Sequence, residues 1–143
     1  MRMMLVGSAI AALATPVAAG DWRLVYADDH DAIAIEADSI RSVVGKKVAW
    51  VALLRAEPEE GVDYSLSRRE FDCSASTVTP LSFVAYRANG ESIHSSHSRR
   101  PTQAVVPDTL GWEAFDAVCF GTNMDDMQGW SSPSVLLTDY RTR

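Results

Sequence analysis

The chain has 143 residues, a formal net charge of −6, 47% hydrophobic and 22% charged residues. Mixed charge with that much apolar content excludes an intrinsically disordered chain, and the length suits one small domain rather than two. The acidic balance and the presence of only two cysteines speak against a generic nucleic-acid-binding surface, a zinc ribbon and a cysteine-rich scaffold.

Residues 1–19 read as a signal peptide. Arg2 supplies a short positive region, residues 3–13 form an apolar run broken only by Gly7 and Ser8, and Pro16, Val17, Ala18 and Ala19 follow. Val17 at −3 and Ala19 at −1 suit signal peptidase, so cleavage is expected before Gly20. The run is shorter than the ~20 residues of a spanning helix. No cysteine stands at the cleavage point to carry a lipid, and no later stretch is apolar enough to span a bilayer. The expected exported chain has 124 residues and a charge of −7, since Arg2 is lost. The expected location is the periplasm, the cell surface or the medium.

Period-two patterning, the mark of half-buried strands, then dominates. Trp22, Leu24 and Tyr26 alternate with Asp21, Arg23 and Val25 up to a polar turn at Asp28-Asp29-His30-Asp31. Ile33 and Ile35 continue the alternation, and residues 38–44 read as an irregular stretch with room for one helical turn. Gly45-Lys46 reads as a tight turn. Residues 47–54 are the most apolar segment, which implies burial on both faces with a helix on one of them. Glu57-Pro58-Glu59-Glu60-Gly61 reads as an acidic loop. In the next strand Tyr64, Leu66, Arg68, Glu70 and Asp72 share one face, and Ser65, Ser67, Arg69, Phe71 and Cys73 share the other.

Residues 77–88 form a longer strand in which Pro80 demands an edge, a bend or a bulge. Asn89-Gly90 is the strongest hairpin signal, since both residues tolerate positive φ. Its partner, residues 91–98, is polar and suits a sheet edge. Pro107 with Asp108 or Thr109 marks a helix start. Trp112, Phe115 and Cys119 then line one apolar stripe beside Val118, and Gly121 is a C-terminal stop. In residues 122–143, Met124, Met127, Trp130, Val135, Leu136 and Leu137 can pack, while Ser131-Ser132-Pro133-Ser134 reads as a linker.

Cys73 and Cys119 are the only cysteines, and an oxidising compartment favours their pairing. Two free thiols or an external redox pair are the alternatives, and no Cys-x-x-Cys motif supports a redox role. If the two pair, the bond ties the helix to the strand ending at Cys73, and the helix covers one face of an antiparallel sheet. The expected fold is α+β, with a roughly six-stranded antiparallel sheet and a C-terminal helix packed on one face.

The ordered set of Trp22, the Ile33–Ile35 strand, Asp38-Ser39-Ile40, Val48 and Trp50, Phe71-Asp72-Cys73, Tyr86 before Asn89-Gly90, Val106-Pro107 and Val118-Cys119 resembles the surface-adhesin protein E-like family of bacterial exported proteins. The resemblance covers about residues 22–120. It implies a small antiparallel sheet with a helix held on it by the Cys73–Cys119 disulfide. It divides the chain into a signal peptide at 1–19, a family domain at 20–121 and an extension at 122–143. The named member of the family is an adhesin that binds host matrix and serum proteins. This chain departs from it in lacking a lipid-bearing cysteine and in carrying about twenty more C-terminal residues. No binding motif carries over.

The remaining constellations weigh against chemistry. His94-x-x-His97 has an odd strand spacing that turns the two rings to opposite faces, and no third ligand stands nearby, so no metal is expected. The acidic turn at residues 28–31 lacks the ligand spacing and glycine of a calcium loop. No Gly-x-Ser-x-Gly elbow or Gly-rich phosphate loop occurs. The carboxylate pairs Glu59-Glu60 and Asp125-Asp126 fall in expected loops, where nothing raises a pKa for acid catalysis. An enzyme is therefore not expected, nor a catalytic residue or cofactor. Arg68 and Arg69 face opposite ways on their strand. Arg99 and Arg100, with His94 and His97 nearby, form a candidate cationic patch for an acidic glycan or protein, set against a solvated loop guarding an edge strand. Trp22, Trp50 and Trp112 read as core, and Trp130 as the aromatic best placed for an exposed contact. The expected function is an exported, non-catalytic, adhesin-like binding module for a protein or glycan. The alternative is a periplasmic structural or envelope-assembly protein without a host ligand.

Overall fold

A computed structural model describes residues 20–124 and 129–143. The expected signal peptide, the Asp125-Asp126 pair and Met127 lie outside these residues. Eight strands form one antiparallel sheet: β1 (Trp22–Ala27), β2 (Asp31–Glu36), β3 (Arg41–Val43), β4 (Lys46–Glu59), β5 (Val62–Asp72), β6 (Thr77–Tyr86), β7 (Ser92–Ser96) and β8 (Gln103–Ala104). Their spatial order is β1-β2-β4-β5-β6-β7, with β3 on β4 and β8 on β6. Two helices follow, α1 (Leu110–Phe120) and α2 (Pro133–Arg141). The fold is α+β, and the Cys73–Cys119 disulfide links the sheet to α1. Six strands make the main path, and the two short strands raise the number to eight. A single 3-10 turn, Ala37–Ser39, replaces the expected helical turn before β3.

The turns follow from backbone freedom. Val43 pairs with Lys46 across Val44 and Gly45, both at positive φ, so the tight turn sits one residue earlier than the glycine-lysine pair suggests. Pro58 lies inside β4 rather than in a loop. The β4–β5 ladder loses register between Leu54 and Glu59 and closes at Glu60-Gly61, again with positive φ at both. At Asn89-Gly90 only the glycine takes positive φ, and the Asn89 side chain instead accepts the Glu91 N–H at 2.9 Å. Pro80 produces the expected bulge, a register shift opposite Arg68 and Arg69.

Strand alternation sends two apolar sets to opposite faces. Val25, Ile33, Ile35, Ala49, Val51 and Phe71 pack with Ala114, Phe115, Ala117 and Val118 of α1. Leu24, Ala34, Ala52, Leu54 and Tyr64 pack with Leu136, Leu137 and Tyr140 of α2. The continuous apolarity of β4 is thus explained by a helix on each face. Thr109 is the α1 N-cap, its hydroxyl oxygen accepting from the Trp112 N–H, and Gly121 ends the helix in the left-handed conformation.

The serine-rich segment read as a linker is the start of α2. The Ser132 hydroxyl accepts from the Val135 N–H, and Pro133 occupies the first turn, where a missing N–H costs nothing. Before it, Trp130 exchanges two backbone hydrogen bonds with Trp22, at 2.9 and 3.0 Å, and covers the β1 edge. Arg141 then clamps α2 to the sheet. Its Nε donates to the Arg55 carbonyl at 3.0 Å and its Nη2 to Asp63 Oδ1 at 2.8 Å.

The β1–β2 turn is organised by one carboxylate. Asp28 accepts from the Tyr26 hydroxyl at 2.6 Å and from the His30 and Asp31 N–H groups at 2.8 and 2.9 Å. The Tyr26 bond first, then the two backbone bonds, hold its pKa at about 2, below the ordinary 3.8. A depressed carboxylate pKa stabilises the fold above the unfolded value, and that contribution disappears as pH falls through the folded value. Urea midpoints measured from pH 7 to pH 2 are therefore expected to show an Asp28 contribution lost between about pH 4 and pH 2. In Asp28→Asn that component is absent. An unchanged acid profile in the variant would contradict the assignment.

Candidate binding cleft

α1 packs on β1, β2 and β4 and reaches only the near side of β5. Beyond it, the same face of the sheet is roofed only at its margin by the segment leading from β8 into α1. The result is a cleft of about 510 Å³. Its floor is Leu53 from β4, Ser65, Ser67 and Arg69 from β5, and Val78, Pro80 and Phe83 from β6. Gln103, Val105, Val106 and Thr109 form the wall, with Arg100 among the lining residues. A shallower hollow sharing Leu53, Ser65 and Phe83 continues it toward the β4–β5 hairpin.

The local sequence explains the space. On β5 the residues facing α1 run Ser65, Ser67, Arg69, Phe71. Phe71 fills the gap under the helix and is fully buried against Phe115. Two serines leave the next positions shallow. Arg69 lies between them and Phe71, with its Nε donating to Ser67 Oγ at 2.7 Å. Burial pushes its pKa down from the usual arginine value, and a guanidinium still carries its proton at neutral pH. No described carboxylate lies within ion-pair distance of Arg69, and no aspartate or glutamate lines the cleft. Among the described residues no fully buried side-chain nitrogen or oxygen lacks a partner. The Arg69 Nη groups, which bond no described protein atom, therefore open onto the cleft.

The candidate patch residues divide between two edges. His94 is exposed on β7 with its ring 6.3 Å from Phe83, and His97 follows the strand, also exposed. Arg99 Nη2 donates to Glu70 Oε1 at 2.9 Å on the side of the sheet away from the cleft. That bond, aided by the charges of Arg99 and Lys46, holds the Glu70 carboxyl below its usual range against the opposing effect of burial. Arg100 donates its backbone N–H to the Pro80 carbonyl and turns to the cleft. Consecutive positions thus send the two arginines to different faces. Trp130 lies at the opposite edge of the sheet, half-buried, with the Arg143 guanidinium 5.6 Å from its ring centroid.

The acidic turn is committed internally. Asp28 is held as above, and Asp31 binds Arg55 Nη1 at 2.7 Å. No group of three or more His, Cys, Asp or Glu side chains converges among the described residues. No described helix is long and apolar enough to cross a membrane. Arg69 was missed as a site residue by pair-counting along the sequence. The available signal was its place among serines on the inward face of β5.

A family model described as surface-adhesin protein E matches residues 22–120. No curated protein sequence matches at a significant level. Among solved structures, crystal form II of Haemophilus influenzae protein E is similar at 17% identity, covering 80% of this chain and 98% of that one, with a TM-score of 0.50. Another structure of Haemophilus influenzae protein E is similar at 18% identity over 79% and 93% of the two chains, with a TM-score of 0.49. At 17% identity the first likeness speaks for the fold, and the sheet with its disulfide-held helix agrees with it. The family match spans well over half of the sequence, so the chain belongs to the surface-adhesin protein E family.

Proposed function

We propose that the protein is an exported, non-catalytic, adhesin-like binding module that recognises an extracellular protein or glycan. The observation that carries this reading is the family match over residues 22–120. The contact surface we assign is the β7–β8 edge. Its strand is polar and exposed, its outer backbone groups face no further strand of the sheet, and it carries His94, His97, Arg99 and Arg100. Cations on an accessible edge suit an acidic protein or a sulfated glycan. Trp130, on the far edge, would make a separate contact.

The test is protease shaving of intact cells with fractionation and immunoblotting. Removal by external protease, or recovery from the medium, is the expected result. Binding of the purified protein to immobilised heparin and matrix proteins then follows, with Arg99→Ser weakening it. Protection until the outer membrane is opened would overturn the adhesin reading in favour of an envelope protein without a host ligand.

A further inference from the structure

We propose that the cleft beside α1 is a small-molecule site for an amphipathic monocarboxylate, its headgroup held by Arg69 and Arg100 and its apolar body lying along Leu53, Val78, Phe83 and Val106. The inference does not rest on the adhesin reading: of His94, His97, Arg99 and Arg100 at the β7–β8 edge the cleft shares only Arg100, and it is tested at Arg69 and Val106.

Three observations lead to it. The first is size: about 510 Å³ falls within the roughly 300–1,000 Å³ range of clefts that enclose small ligands. The second is charge. The whole chain is acidic, at −6, yet this cleft is lined by two arginines and no carboxylate. Nearby carboxylates stand away from the two arginines: Glu70 pairs with Arg99 and Lys46, and Glu59, paired with Arg55, and Glu60 line only the adjoining hollow beyond Leu53 and Phe83.

The third is the state of Arg69. Arg69 is half-buried, with only one of its N–H groups bonded by the described protein. The protein supplies Ser67 Oγ to Nε and leaves both Nη groups facing the cleft. Two N–H groups at the edge of a planar fork match the two oxygens of a carboxylate. Beyond the serines the floor is apolar, formed by Leu53, Val78, Pro80 and Phe83, so a ligand with charge at one end and hydrocarbon at the other fits both parts. A fully hydrated anion such as a free sugar acid would leave Leu53 and Phe83 uncovered.

The experiment is calorimetric titration of the oxidised protein, extracted beforehand to remove co-purified lipid, with decanoate, 1-decanol, decylammonium and acetate. Saturable 1:1 binding of decanoate is expected, with decanol and acetate at least about tenfold weaker and decylammonium not binding. Arg69→Met is expected to weaken decanoate by about tenfold or more while leaving decanol unchanged, and Arg69→Lys to restore part of the loss. Because loss of Arg69 can disturb β5, Val106→Glu provides a second probe. Val106 is 57% exposed on the cleft wall, so the variant is expected to fold normally and to lose decanoate binding through charge repulsion. Absence of saturable binding, equal affinity for decanol, or wild-type decanoate affinity in a folded Arg69→Met or Val106→Glu variant would overturn the proposal.

Discussion

Removal of the segment after Gly121 is expected to abolish cooperative folding, although the family match ends at residue 120. Without α2, the sheet face formed by Leu24, Ala34, Ala52, Leu54 and Tyr64 loses its cover, and Leu136, Leu137 and Tyr140 leave the core. Fully burying a large apolar side chain is worth about 1.5–3 kcal/mol, and three of them rival the total stability of a small domain, about 5–15 kcal/mol. The β1 edge also loses its two backbone bonds to Trp130. The truncated protein is expected to bind a hydrophobic dye and to show no sharp urea transition. A milder probe is Leu136→Ala, at 0% exposure in the wild type, with an expected loss of about 2–5 kcal/mol. A truncated chain that unfolds cooperatively at the wild-type midpoint would show that α2 is an accessory.

Breaking the Cys73–Cys119 bond is expected to cost about 4 kcal/mol, by the chain-entropy model for its sequence separation of 46. The bond joins the residue just after β5 to the last turn of α1, with Cα atoms 5.6 Å apart. The same end of the helix is held by Lys47, whose Nζ donates to the Val118 carbonyl at 3.3 Å. The main effect of reduction falls on the unfolded chain, which regains the freedom of a long loop. Equilibrium urea unfolding of wild type against Cys73→Ala/Cys119→Ala measures the difference. Wild type with dithiothreitol should match the double variant, and non-reducing peptide mapping should show the two cysteines in one linked pair. A change below about 1 kcal/mol would mean that Phe71, Phe115 and their neighbours seat α1 unaided.

Most of the sheet was legible from local rules, because strand alternation and turn chemistry act over a few residues. The two faces of β5 follow from period two, with Phe71 inward and Glu70 outward. The Pro80 bulge follows from a missing donor, and the polar character of β7 from its place at an edge. The apolar stripe of α1 and its N-cap at Thr109 are equally local. The pairing of Cys73 with Cys119 was favoured by an expected oxidising compartment and the absence of other cysteines, and the structure joins them.

What the sequence left open depends on partners distant along the chain. Residues 131–134 have turn-like composition, and only the packing of Leu136, Leu137 and Tyr140 against β4 and β5 makes them the cap of a helix. Trp130 looked free because its partner, Trp22, stands 108 residues away. Arg99 and Arg100 read as one patch, but the backbone bond from Arg100 to Pro80 and the Glu70 pair send them to opposite faces. The cleft is the clearest case. Arg69 and its serines were visible, but its emptiness was decided by where α1 stops short across the sheet. Sequence alone determined the main strands, the facing of their residues and α1, and it favoured the disulfide. Tertiary packing decided which apolar surface was covered, which charge was compensated and where space remained.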